Sequence, residues 1–205
     1  MTAVSPIGRR AANKEDKRAR LIDAAWALFG EQGVAATTTA DIAARAGVAK
    51  GTLFLYASDK SDLLFLLMHD RLDETAEALL ATVPRRAPIV DQLVHVFGGF
   101  YELYGRCGDV GRAFVKELPG AQGENAAKVH GLTFAFMHRS AALLIEAQTR
   151  GELRADLDVM VAAQSIFALY FSGLMAWLQG FATLEEAREV LLRQALQLLV
   201  RGLHA

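Results

Sequence analysis

At 205 residues, with 53% hydrophobic and 22% charged side chains and a formal net charge of -1, the chain is long enough to bury a sizeable core as one large domain or two small ones. A single cysteine, Cys107, excludes an intramolecular disulfide and fits a reducing, cytoplasmic setting. Four prolines leave room for long helices, and strand-like alternation of Val, Ile and Thr is scarce, so the expected fold class is all-α.

Residues 1–13 mix Ser, Pro, Gly and Arg without periodicity and are expected to form a flexible basic arm. No apolar run follows their arginines, so no signal peptide is expected. Residues 1–60 carry nine Lys/Arg against six Asp/Glu, and the remainder is net negative; the front of the chain is the end suited to a polyanion. From Lys14 to Gln32 the apolar positions Leu21, Ala24, Ala25, Leu28 and Phe29 follow helical spacing, and Gly33 is placed to end that helix. Thr38 with Asp41 resembles a capping box opening a second helix, which Gly47 closes. A third, short helix is expected over residues 49–57.

Ser58 or Asp59 caps a fourth helix, whose stripe of Leu63, Leu64, Leu67, Met68, Leu72 and Ala76 runs to about Thr82. Pro84 and Pro88 bracket two arginines in the one stretch that reads as a boundary. Further helices are expected over residues 89–105, 110–118, 124–150, 157–181 and 184–203. The span from Val159 to Leu184 holds no charged residue and has the length to cross a bilayer. Gln164, Ser165, Ser172 and Gln179, with no flanking basic cluster, argue instead for a helix buried on one face by its own core and on another by a partner subunit.

The sharpest local signal is "TTTADIAARAGVAKGTLFLYASDK", Thr37 to Lys60. Two short helices joined by a glycine-containing turn form a helix-turn-helix, in which the first helix crosses the second and leaves the second free to enter the major groove. Small Ala43 and Ala46 permit a close crossing, while Ile42, Val48 and Leu53 form a miniature core with Leu21, Ala25 and Phe29. Lys50, Gly51, Thr52, Phe54 and Tyr56 are left facing outward, with chemistry suited to phosphates, base edges and thymine methyls.

From Thr37 to Leu64 the chain resembles the tetracycline-repressor-like (TetR) family of transcriptional regulators. The resemblance lies in the threonine run before "DIAARAGVAKGTLFLY", the step from Gly51 to Phe54, and Lys60 followed by Leu63 and Leu64. It implies that Lys50, Gly51 and Thr52 face bases or phosphates, that Phe54 and Tyr56 press on the backbone, that Lys60 clamps a phosphate, and that Thr38 and Thr39 add phosphate contacts. Ala49 stands where a capping serine is usual and Phe54 where tyrosine is commoner. Arg9, Arg10, Lys14, Lys17 and Arg18 are further candidates for phosphate or minor-groove contact. On this reading residues 14–60 form the helix-turn-helix DNA-binding domain and residues 61–205 a larger helical domain for effector binding and dimerisation, with helix 59–82 as connector.

The same resemblance implies a homodimer formed by the last two helices, here at Leu174, Trp177, Phe181, Leu191, Ala195 and Leu198. It also implies an effector pocket, for which the aromatic-rich middle supplies Phe97, Phe100, Tyr101, Tyr104, Phe114, Phe134, Met137, Phe167, Tyr170 and Phe171, with Phe136 among them. His138, His130 and Glu117 are polar groups that would orient a ligand there. The expected function is a ligand-responsive regulator of transcription, a repressor released from a palindromic operator by a small hydrophobic or aromatic effector. The rival readings are an all-α enzyme and a helical adaptor that binds no DNA. The sequence carries no HExxH, P-loop, GxGxxG or serine elbow, so no catalytic residue, metal or cofactor is expected.

Overall fold

A computed structural model describes residues 6–202, with side chains from residue 12 onward. Every regular element among these residues is helical. Helix α1 (Pro6–Ala36) begins on a proline, whose fixed φ suits a first helical position. Residues 6–13, expected in a flexible arm, instead continue this helix: nothing between them caps or stops it, and Ala11 and Ala12 are strong helix formers. Residues 1–5 of that arm, and Leu203 at the other end, lie outside the described residues. At Gly33 the chain leaves helical geometry, with φ 82° and ψ 159°, the left-handed region that glycine enters without a Cβ clash.

Helix α2 (Thr39–Arg45) opens on the expected capping box: the Asp41 amide donates to Thr38 Oγ1 at 3.1 Å, and the Thr38 amide donates to Asp41 Oδ2 at 3.0 Å. Helix α3 is only Lys50–Leu53, shorter than expected. Ala49 supplies no side-chain cap, and past Leu53 the chain tightens into i→i+3 bonds from the Leu55 amide to the Thr52 carbonyl and from Tyr56 to Leu53. Leu21, Ala25, Phe29, Ile42, Ala43 and Leu53 are all buried in the shared core of this three-helix unit, each large side chain contributing about 1.5–3 kcal/mol.

Helix α4 (Lys60–Ala81) is capped by Asp59, which accepts the Asp62 amide at 2.8 Å. Then follow α5 (Ile89–Arg106), α6 (Gly108–Glu117), α7 (Glu124–Thr149) and α8 (Val159–Leu178). The proline-bracketed stretch between α4 and α5 is a tight helix connection. Gln92 Nε2 donates to the Ala87 carbonyl at 2.7 Å, and the Ile89 amide donates to Glu152 Oε2 at 2.9 Å. Gly99 lies where the Leu79 side chain fills the place a Cβ would take, so α4 and α5 approach closely.

The C-terminal helix, residues 184–202, passes through a π-helical stretch at Ala187–Leu192. A π turn inserts one residue into the helical repeat, and the inward positions accordingly run Ala187, Leu192, Leu196 and Val200. Leu191, one of the residues expected at the subunit interface, is turned outward at 42% exposure while Leu192 is fully buried. Helix α8 is long and apolar enough to cross a membrane, yet in this fold Ile166, Tyr170, Gly173, Leu174 and Trp177 pack inward.

Candidate functional site

Two regions carry the site, one at each end of α4. At the helix-turn-helix, Arg20 grips the free carbonyls at the end of α2, donating to Ala46 and, at 2.9 Å, to Gly47. Arg45 pairs with Glu31 through two bonds of 2.7 and 2.9 Å. These contacts hold α2 and the turn that leads into α3 against α1. Lys50 and Gly51 are exposed and Thr52 is half-buried, and no described residue bonds the Lys50 or Thr52 side chain. Phe54 is 45% and Leu55 78% exposed. The exposed apolar side chain of Leu55, a residue the sequence does not mark, suits a thymine methyl.

Several expected contacts are placed differently. Lys60 is engaged by its own chain: its ammonium donates to the carbonyls of Val34 at 2.9 Å, Ala35 at 3.2 Å and Thr37 at 3.1 Å. The break at Gly33 leaves those carbonyls without helical partners, and the three N–H groups of one ammonium satisfy three of them. The Thr38 hydroxyl is spent on the capping box, donating to Asp41 Oδ2 at 2.6 Å, a bond that holds the Asp41 carboxyl below its usual value. Thr39, at the first helical position, has no side-chain partner among the described residues. The Tyr56 hydroxyl donates to the Lys14 carbonyl at 3.0 Å and so ties the end of the recognition segment to α1. Arg18 pairs with Asp70 at 3.0 Å, leaving Lys14 and Lys17 as the exposed lysines of α1. The side chains of Arg9 and Arg10 lie outside the described residues.

The second region is a cavity of about 310 Å³ between α4 and α8, open to solvent on the side of His130 and Phe134, at the small end of the range of roughly 300–1,000 Å³ usual for ligand sites. Of the residues expected to line it, Phe100, Tyr104, Phe114, Phe134, Met137, Phe167, Tyr170 and Phe171 do. Phe97 and Tyr101 do not. They stand one layer behind, Phe97 against Phe136 and Tyr170 at centroid distances of 5.3 and 5.6 Å, and Tyr101 stacked on Tyr170 at 5.1 Å with its hydroxyl donating to the Tyr170 carbonyl at 2.7 Å. His138 is exposed and off the lining, because it follows Met137 by one residue and so points about 100° away on the helix. His130, two turns earlier, does line the cavity. Glu117 is also elsewhere, accepting from Ser61 Oγ at 3.0 Å.

Leu72 and Ala76 of α4, with Leu118, Val129, Leu132, Thr133, Phe136 and Leu174, complete the wall. Phe136 was among the aromatics expected there and Leu174 was expected at the subunit interface; the others sit in ordinary helix stripes, which carry no mark of a cavity. Polar groups are few. Tyr170 donates to the Tyr104 hydroxyl at 3.2 Å, Thr133 donates to the Val129 carbonyl at 3.0 Å, and His130 stands at the rim. Burial pushes the Tyr104 phenol up to about 12 and that of Tyr170 well above the usual value, so both remain neutral donors in an apolar enclosure.

At the far end, two residues expected in a subunit interface face their own core: Leu174 is fully buried on the cavity wall, and Trp177 is only 9% exposed with Arg112 over its ring at 4.6 Å. Phe181, Leu191 and Leu198 are exposed and Ala195 half-buried. Val161 and Val190 join them as exposed apolar residues.

The family model for bacterial regulatory proteins of the tetR family matches residues 21–67. The fatty acid metabolism regulator protein of Bacillus subtilis (strain 168) is 28% identical over 193 residues, 93% of this chain and 97% of that protein. The probable HTH-type transcriptional regulator ArpR of Pseudomonas putida is 30% identical over 194 residues, 84% of this chain and 85% of that protein. Among solved structures, that of Thermus thermophilus FadR, a TetR-family repressor in complex with lauroyl-CoA, matches with a TM-score of 0.71 and 25% identity over 92% of this chain and 95% of that one. FadR from Bacillus subtilis in complex with stearoyl-CoA matches with a TM-score of 0.68 and 26% identity, over 90% and 98% of the two chains.

Proposed function

From the premise that the chain belongs to the tetR family of bacterial regulatory proteins, we propose that it is a cytoplasmic, homodimeric repressor whose hold on a palindromic operator is released by a fatty-acyl effector. It is a DNA-binding regulator of transcription and acts by binding rather than catalysis. The observation that carries the finer reading is the cavity: about 310 Å³ walled almost wholly by aliphatic and aromatic side chains, with two neutral phenols inside it and His130 at its rim. A linear acyl chain fills such a space without leaving polar groups unpaired, and a carbonyl carried on it finds a donor in Tyr104, whose hydroxyl accepts from Tyr170 and keeps its own proton free. The relatives solved with lauroyl-CoA and stearoyl-CoA support the same class.

Lys50, Gly51, Thr52, Phe54, Leu55 and Thr39 form the DNA face in this reading, with Tyr56 holding the segment from behind. One recognition segment reads few base pairs, and a two-fold dimer doubles the site; Phe181, Leu191 and Leu198 supply exposed apolar surface for that dimer. An effector that favours the conformation with misaligned recognition segments weakens DNA binding by the same factor by which DNA weakens its own binding. Titrating a Trp26→Phe variant with lauroyl-CoA and following the fluorescence of Trp177, one turn beyond the lining residue Leu174 in α8, tests the effector class. Saturable quenching at micromolar ligand is expected; no response to lauroyl-CoA, stearoyl-CoA or the free acids would overturn the acyl reading.

A further inference from the structure

The two residues after Lys60 reach across to the other half of the chain. Ser61 bonds Glu117 at the end of α6. Asp62, only 2% exposed, accepts four bonds. Its Oδ1 takes the amides of Asn125 at 3.0 Å and Ala126 at 3.4 Å, in the first turn of α7. Its Oδ2 takes the Ser58 amide at 3.0 Å and the Asn125 side-chain amide at 3.1 Å. The same Asn125 nitrogen donates to the Tyr56 carbonyl at 2.7 Å. One buried side-chain amide therefore joins three things: the start of α7, the start of α4, and the segment through which the chain leaves the recognition helix. Gly123 makes the approach possible, since at φ +113° it has no Cβ, and one built there would lie 2.5 Å from Asp62 Oδ1.

The helix pinned at this point is the one that walls the cavity. Val129 stands one turn beyond Asn125, and the lining continues through Met137. A helix moves as a rigid element over such a length, so a displacement of the cavity wall arrives at the clasp undiminished. A buried carboxylate with four N–H donors and no spare lone pair is costly to rearrange piecemeal, which makes the clasp a link that moves as a unit.

We propose that Asn125, oriented by Asp62, is the positioning residue that couples the cavity to the recognition segment through the first turn of α7, in addition to any lever action of α4. The proposal rests on the regulator reading but not on the identity of the effector. By reciprocity, DNA bound at α3 must act back on α7.

The test is hydrogen exchange on the full-length protein, with and without a duplex selected for tight binding from a randomised pool. In the wild type, DNA should slow exchange roughly tenfold at residues 126–133 as well as at α2. In Asn125→Ala the slowing at α2 should remain while that at 126–133 disappears, and Asn125→Ser, which keeps one donor in place, should recover part of it. Absence of any DNA effect on α7 in the wild type, or an undiminished effect in Asn125→Ala, would overturn the proposal; if the alanine variant does not fold, an undiminished effect in Asn125→Ser overturns it instead. If the exchange coupling is present and lauroyl-CoA leaves DNA affinity unchanged, the acyl reading fails and the clasp stands.

Discussion

The Lys60 ammonium lies 3.1 Å from the carbonyl oxygen of Thr37, and that bond, with those to Val34 and Ala35, closes the broken end of α1 onto the start of α4. Lys60 is thus a donor to its own chain, where its position in the family motif implied a phosphate. Lys60→Met should destabilise the protein by about 1–3 kcal/mol, the cost of leaving partly buried carbonyls unpaired. The slope of log affinity for DNA against log salt should stay unchanged in the folded variant. A melting curve and a salt titration check the two halves.

Lys50 gives the opposite pattern. It is exposed, unpaired among the described residues, and stands at the start of α3. Lys50→Ala should leave the melting temperature within about a degree or two. Its salt slope should fall by about 0.9 if the ammonium neutralises one phosphate, and relaxed sequence preference would mark a guanine contact instead.

Ala76 is the smallest side chain on the α4 wall of the cavity. Ala76→Phe places a ring in the ligand's space and should weaken acyl-CoA binding about tenfold or more, equivalent to ~1.4 kcal/mol, at some cost in core strain. DNA affinity without effector should be retained. Fluorescence titration with lauroyl-CoA, beside an anisotropy titration with DNA, separates the two.

The phenols set the alkaline limit of stability. Burial raises the Tyr104 phenol from its ordinary value of 10.0 to about 12, and Tyr170 is raised in the same direction. A group whose folded pKa lies above its unfolded one contributes stability that is complete below the unfolded value and is lost as pH rises through the folded value. The melting temperature should therefore fall between about pH 10 and pH 12, with the absorbance of the buried phenolates appearing only as the protein unfolds, and Tyr104→Phe should shift the fall to higher pH.

Leu198 is 68% exposed on the C-terminal helix. Leu198→Glu should turn the dimer into monomers with an intact helical spectrum, and should lower DNA affinity steeply because each monomer grips one half-site. Sedimentation equilibrium of wild type and variant at matched concentration provides the check.

Helix positions were readable from the sequence because each carries its own start and stop. The Thr38 box, Asp59 and Pro88 stand within a residue of a helix start, Gly47 stands two residues past the end of α2, and Gly33 marks the break inside α1. The π-helical stretch was not readable, since no residue type marks it, and with it went the inward register that buries Leu192 and exposes Leu191. The cavity was legible as a class of residues but not as a surface. Helical spacing places Phe97, Tyr101 and Met137 equally inward, and only the packing of α5 against α8 decides that the first two stand behind the wall. Asp62 and Asn125 gave no signal at all: the bonds joining them span 63 positions in the chain, a separation that local patterns cannot register.

The most direct test of the account is the fluorescence anisotropy of a labelled duplex, selected for tight binding from a randomised pool, titrated with the protein across a salt series with and without saturating lauroyl-CoA. Tight, salt-sensitive binding that weakens about five- to 150-fold in the presence of lauroyl-CoA is predicted. Tight binding that is indifferent to a lauroyl-CoA shown to occupy the cavity would contradict it.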